Sequence, residues 1–355
     1  MSDLLKRLQP HCGCCFIIPP NVLRAQSRDP GLDARVRTKL QETFAETARL
    51  KHLREASRVG AMLQKGAMAP EAIAAPTTPQ QRLFDCEHRA SLPGAPLSDA
   101  AASADDAIKK VFEVTGKVAE FYKMVLERNS IDNQGLDLVS SVHYRVNFDN
   151  AFWNGQQMVY GDGDGQLFTE FYNSPDVIGH ELTHGVTQNE SGLRYEGEPG
   201  ALNESISDVF GAVFNQWYNK WPASNTDGWL IGAGIIAGPA RAKGKTCLRD
   251  MVAPAADHCL SPQPDNYDNF DPTADVHENS GIPNKAFALF ARAVGGNSWD
   301  RAIKVWYRAC TSRELSSGAS FEDFARLTIA VAASNNLDAQ LQKAWQDVGL
   351  PLGTA

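Results

Sequence analysis

The chain has no apolar run approaching the roughly 20 residues that a membrane-spanning helix needs, which argues against an integral membrane protein built from helices. It has no basic tract, and 34 Lys and Arg stand against 42 Asp and Glu for a formal net charge of −8. Nucleic acid and anionic membranes are therefore excluded as its main partners. Internal repeats and sustained heptads are missing too, which removes solenoids and coiled coils. The N-terminus, MSDLLKRLQPHCGCCFIIPPNVL, has one basic pair and a short apolar stretch broken by Pro19 and Pro20. That makes a poor secretory signal, so the expectation is cytoplasmic synthesis, with any export by a non-classical route. Cysteine is scarce and odd in number, 7 in 355 residues, so the set cannot all pair internally. Cys12, Cys14 and Cys15 cluster, Cys86 and Cys310 stand alone, and Cys247 and Cys259 flank one loop. The last pair suits a disulfide in an exported protein; in a cytoplasm all seven stay reduced.

What is present points to two lobes and an appendage, since 355 residues exceed what one core usually holds. Residues 34–54 form a charged, helix-like run. Residues 55–80 turn to Ala, Pro, Gly and Met, with Pro70, Pro76 and Pro79, and read as an exposed linker where proteolysis concentrates. Between 105 and 128, Ile108, Val111, Val118, Phe121 and Val125 recur at helical spacing as a core face. Residues 136–146 read as a strand, 161–168 as a turn, and 282–293, 298–310 and 321–334 as helices. The expected divisions are 1–55, a linker 56–82, a lobe 83–190 and a helical lobe 191–355.

The chemistry starts at VIGHELTHGVTQ, residues 177–188. On a helix, His180 and His184 stand one above the other and offer two nitrogens to one ion. Glu181 lies about 100° round the helix, beside the metal, where a base for a bound water belongs. Twenty residues after His184 comes Glu204, in the apolar-periodic GALNESISDVFGAV. Two histidines and a glutamate make the open catalytic zinc set that leaves a fourth position for water. Asp208, one turn on, and Asn203 are placed to accept the outer N–H of each imidazole.

These blocks, with NAFWNGQQMVYGDGDG at 150–165, LRDM at 248–251 and VHENSGIPNKAF at 276–287, resemble in order those of the thermolysin family of zinc metallopeptidases. LFDCEHRASLPG at 83–94 and the Pro-Pro segment at 19–23 resemble its short-propeptide, protealysin-like branch. The resemblance implies an α+β fold: an N-terminal β-rich lobe and a C-terminal α-helical lobe with the zinc site between them, plus a short propeptide. It implies Tyr195 and His277 as donors to the oxyanion, Asn150 and Ala151 as an edge for the substrate backbone, and Arg249 as the grip on a carbonyl. Phe168, Phe171, Val177, Ile231 and Leu248 line the pocket for the residue after the cut, which favours bulky apolar side chains. The expected activity is zinc-dependent endopeptidase, made as a zymogen, acting on peptides and held by its own propeptide. Alternatives are an idle binding relative or a zinc aminopeptidase. Pro19, Pro20 and Leu23 are expected in an extended plug, with Cys14 or Cys15 as a thiolate ligand replacing the water. Two departures stand out. The aspartate expected five residues before His277 is Pro272, leaving Asp271 or Asp275 to orient the ring. Of the calcium-binding acids Asp176 matches, but Asn215, Leu230 and Ala233 do not, so the double Ca2+ site is expected to be lost.

Overall fold

The computed structural model describes residues 15–64 and 79–352, the side chains of 52–64 excepted. Six short strands form one mixed sheet: β1 (Cys15–Phe16), β2 (Gln81–Asp85), β3 (Ala95–Pro96), β4 (Leu138–Val142), β5 (Ala151–Trp153) and β6 (Met158–Tyr160). Their order is β1-β5-β6-β4-β2-β3, with β2/β4 and β4/β6 parallel and the other pairs antiparallel. An edge strand is thus supplied from the N-terminal section, far from the rest of the sheet in sequence.

Helix α1 (Pro20–Gln26) and the long α2 (Ala34–Gln64) follow β1. Pro19 is extended, as expected, but Pro20 opens a helix, because a ring-fixed φ and a missing N–H suit the first helical position. Helix α2 runs on through 56–64, the first part of the expected linker. Ala, Met, Leu and Gln there are good helix formers, and the next proline is Pro70. Helix α3 (Asp106–Leu126) starts at Asp105, whose carboxylate accepts from the Ala107 and Ile108 amides, and buries Ile108, Val111, Val118 and Phe121, the last with its ring against Phe214 and Trp217.

The centre is a pair of helices, α4 (Pro175–Asn189) and α5 (Gly197–Asn219). Residues 176–187 and 200–216 are buried without a break, the mark of helices enclosed on all sides. Glycines let them approach. A Cβ on Gly211 would lie 2.5 Å from the Asp176 carbonyl oxygen, and one on Gly179 3.2 Å from the Gly211 Cα. Beyond a short helix α6 (Gly238–Ala242) and α7 (Val276–Asn279), helices α8 (Gly281–Val294), α9 (Ala302–Cys310), α10 (Phe321–Ala333) and α11 (Asp338–Asp347) complete the chain. They pack round Trp306, which stacks on Trp345 at 5.9 Å and meets Phe287 edge-on at 4.8 Å. Strands β7 (Leu230–Ile231) and β8 (Arg249–Asp250) pair beside α5. Among the described residues no helix is long and apolar enough to cross a membrane.

Candidate active site

Helix α4 brings the Nε2 atoms of His180 and His184 to 3.0 Å from each other. The close approach of α5 sets Glu204 against both, at 3.4 Å from His180 Nε2 and 3.5 Å from His184 Nε2. Such separations are those of ligands each about 2.0–2.2 Å from a single ion. The outer nitrogens are already taken: His180 Nδ1 lies 2.9 Å from Asp208 Oδ1, and His184 Nδ1 2.9 Å from Asn203 Oδ1. Both rings are thereby fixed with Nε2 inward. Glu204 Oε2 and Glu181 Oε1 are buried without a hydrogen-bond partner, a state costing about 1–3 kcal/mol for each group. A cation with its water answers both, so the donor set fits zinc.

Charge follows the same geometry. Burial opposes a proton on His180, but Asp208 and Glu204 outweigh it and bring the pKa to about 10. Burial pushes His184 down to about 3, with the His180 charge adding to the effect. Burial, reinforced by the Glu204 charge, lifts the Glu181 carboxyl well above the usual range. Burial works against Glu204 as an anion, but His277, His184 and His180 hold it well below that range. Glu181 is aimed by β5: its Oε2 accepts the Trp153 amide at 2.8 Å.

Across the site, the Tyr195 hydroxyl donates to Glu204 Oε1 and lies 3.3 Å from His277 Nε2. Of the two candidate aspartates it is Asp275 that faces His277 Nδ1, while also capping α7 through the His277 amide. Asp271 is turned to Thr273. Arg249 grips Asp208 through Nε at 2.8 Å and Nη2 at 2.6 Å, both partners being buried. Asn284 adds a fourth donor to that carboxylate, at 2.8 Å, and Ser207 a second contact to His184 Nδ1 at 3.1 Å. Neither residue was singled out from the sequence, although both lie inside the blocks quoted there.

The groups expected to hold the substrate backbone, with His277, all meet the N-terminal section. Ala151 O accepts the Ile17 amide at 3.1 Å, and Arg249 Nη1 donates to Ile17 O at 3.1 Å. Asn150 Oδ1 accepts the Ile18 amide at 2.9 Å while its Nδ2 donates to Ile18 O at 3.1 Å. His277 Nε2 donates to Phe16 O at 2.8 Å. Phe168, Phe171, Val177, Ile231 and Leu248 are buried in the same apolar cluster as Ile17, Ile18 and Leu23. The thiolate expectation does not hold for Cys15. Its sulfur lies beside His184 and Glu204, but it is disulfide-bonded and has no thiol proton to lose. Cys14 lies outside the described residues. Asp176 is satisfied by protein donors, the Ser174 hydroxyl and the Gly232 amide, each at 2.5 Å.

Residues 97–188 match the model of the thermolysin metallopeptidase catalytic domain, and residues 191–350 that of its alpha-helical domain. An extracellular metalloprotease of Pectobacterium carotovorum subsp. carotovorum is 41% identical over 282 residues, 76% of this chain and 80% of that protein. The protease PrtS of a Photorhabdus strain is 37% identical over 287 residues, 77% of each. The solved precursor of protealysin, a metalloproteinase from Serratia proteamaculans, superposes with a TM-score of 0.81 at 36% identity, covering 95% of this chain and 99% of that one. Most of residues 15–64 therefore have counterparts in a precursor. The chain belongs to the thermolysin family of metallopeptidases, as a zinc-dependent metalloendopeptidase made in precursor form.

Proposed function

We propose that this endopeptidase cuts peptide bonds on the N-terminal side of bulky apolar residues, and that residues 15–23 close its cleft until the precursor is processed. The observation that carries the reading is the buried, unpartnered Glu181 Oε1 beside three converging ligand groups. His180, His184 and Glu204 hold the zinc, which when bound supplies a Lewis acid and a water of pKa near 7. Glu181 takes the proton of the attacking water and returns it to the departing amine. His277 Nε2–H, and the Tyr195 hydroxyl once it turns from Glu204 Oε1, donate to the oxyanion that forms on the carbonyl. Asn150 and Ala151 hold an extended substrate as an added strand, and Arg249 holds the carbonyl of the residue after the cut. Burying Leu, Ile or Phe among Phe168, Val177, Ile231 and Leu248 contributes about 1.5–3 kcal/mol, a roughly tenfold to hundredfold preference. For calcium, the reading is that the double site is lost: Asn215, Leu230 and Ala233 bring no carboxylates, and Asp176 is occupied by Ser174 and Gly232.

The test uses processed protein and N-terminally blocked peptides with Leu or Asp after the bond. Cleavage should favour Leu at least tenfold, and Glu181→Gln should lower kcat about 10²–10⁴-fold. Activity confined to peptides with a free amine would replace the reading by an aminopeptidase.

A further inference from the structure

We propose that the precursor holds its own Phe16–Ile17 peptide bond in the place of a scissile bond and cuts itself there. This rests on the endopeptidase reading above and names the first substrate of that same site. The register carries it. Strand β1 runs antiparallel to β5, the direction of an added substrate strand, with Phe16 opposite Phe152. Arg249, the grip for the residue after the cut, holds the carbonyl of Ile17, and Ala151 takes the Ile17 amide. One residue on, both backbone groups of Ile18 are met by the Asn150 side chain. One residue back, the Phe16 carbonyl receives the Nε2–H of His277, the donor assigned to the oxyanion.

A segment that only filled the cleft would need side chains in pockets and no particular alignment of its carbonyls. Here three consecutive residues meet, in order, the oxyanion donor, the carbonyl grip and the backbone clamp. The side chains agree with the backbone. Ile17 is fully buried in the main apolar core, and it is the β-branched apolar residue that a dry pocket favours. Phe16 belongs to a separate buried cluster, its ring tilted against that of Phe152 with centroids 4.9 Å apart.

The reaction needs only water. Its oxygen bonds to the Phe16 carbonyl carbon, the C–N bond to Ile17 breaks, and the proton taken by Glu181 goes to the Ile17 nitrogen. The products are a Phe16 carboxylate and a new Ile17 amino terminus. After the cut, α2 is still held by the hydrogen bond from the Tyr144 hydroxyl to Glu46.

Freshly purified, zinc-loaded full-length chain is followed by intact mass after reduction and by N-terminal sequencing over a dilution series. Expected is an early new terminus at Ile17, formed at a rate independent of protein concentration and missing in Glu181→Gln. Ile17→Asp should slow it at least tenfold, and Ile17→Val should retain it. A readout that needs no turnover is hydrogen exchange in the Glu181→Gln precursor: the Ile17 and Ile18 amides should be protected, with protection lost in Ile17→Asp. The proposal is overturned if the chain cleaves blocked peptides once processed while the 16–17 bond of its N-terminal piece stays intact; the endopeptidase reading then survives. A folded, zinc-loaded chain that cuts neither itself nor added peptides overturns both.

Discussion

Asp208 accepts from His180, from two nitrogens of Arg249 and from Asn284, so one buried carboxylate ties the proposed metal ligand His180 to Arg249, the proposed grip on the substrate carbonyl. Burial opposes its charge, but Arg249 and His180 bring its pKa down to about 2. Asp208→Asn keeps the shape and removes the charge, leaving Arg249 buried beside a neutral amide. Breaking a buried pair in this way costs about 3–5 kcal/mol, and losing a partner of a ligating histidine weakens metal binding about 10–100-fold. Melting and competition with a zinc chelator measure the two effects; unchanged zinc affinity would mean that His180 is oriented by something else. His180, His184, Glu204 and this aspartate were legible because helical spacing puts each pair on one face of its own helix, and the two-His, one-Glu ligand set implies that the faces meet. The choice between Asp271 and Asp275 was not. It depends on which of them caps α7, and both flank the position where the family's aspartate is replaced by Pro272. Asn284 stands 76 residues from Asp208, a distance that no periodicity bridges.

Among the elements, helices were the most legible and the propeptide the least. The run from Phe321 was recognisable by its apolar spacing, and the structure adds a capping box between Ser320 and Asp323 at its start. Helix α2 was legible as charged and helical, but not where it docks, because its anchor is a contact across 98 residues: the Tyr144 hydroxyl donates to Glu46 Oε1 at 2.8 Å. Arg49 at 2.6 Å and Arg145 at 3.3 Å surround the same carboxylate. The Arg49 hydrogen bond holds the Glu46 pKa below its ordinary value against the pull of burial, with Tyr144 and Arg145 adding to the effect. A depressed folded pKa contributes docking free energy that is present above the free value of about 4.5 and is lost as pH falls through the depressed one. In a precursor cut within the linker, release of α2 should therefore speed up below about pH 4.5, and Glu46→Gln should flatten that dependence. Equal slopes in the two proteins would remove Glu46 from the account.

The loop between Cys247 and Cys259 admits a second test at this scale. Their sulfurs lie 3.8 Å apart, both buried and unbonded, on segments bridged side by side, against about 2.05 Å in a disulfide. A mild oxidant should join them, making the chain lighter by two hydrogens, and closing so short a loop should stabilise it by about 3 kcal/mol. Leu248 and Arg249 follow Cys247 directly in sequence, so the bond would also stiffen the segment that carries the proposed pocket residue and carbonyl grip. Cys247 and Cys259 themselves both still alkylating after oxidation, as read by peptide mapping, would rule the disulfide out.

On the scale of the whole molecule, the N-terminal section does more than fill a cleft, because it binds on both sides of it. On the sheet side, β1 extends β5 and Thr43 accepts the Asp149 amide at 3.3 Å. On the helical side, Asn21 donates to Glu278 at 2.8 Å, Lys243 reaches Gly31 O at 3.4 Å, and Lys51 stands 5.8 Å from the centre of the Tyr195 ring. Ile17, Ile18, Leu23 and Leu40 are fully buried, each burial contributing about 1.5–3 kcal/mol before the ordering of the segment is counted. A segment that binds only the folded protein raises its stability by mass action, and while tethered it acts at a local concentration on the millimolar order. The Glu181→Gln precursor, nicked in the linker by an outside protease, should therefore melt close to the intact chain when concentrated. It should melt lower on dilution and lowest once the N-terminal piece is separated. If removal leaves the melting temperature unchanged, the bonds across the cleft contribute nothing net, and latency would rest on occlusion alone.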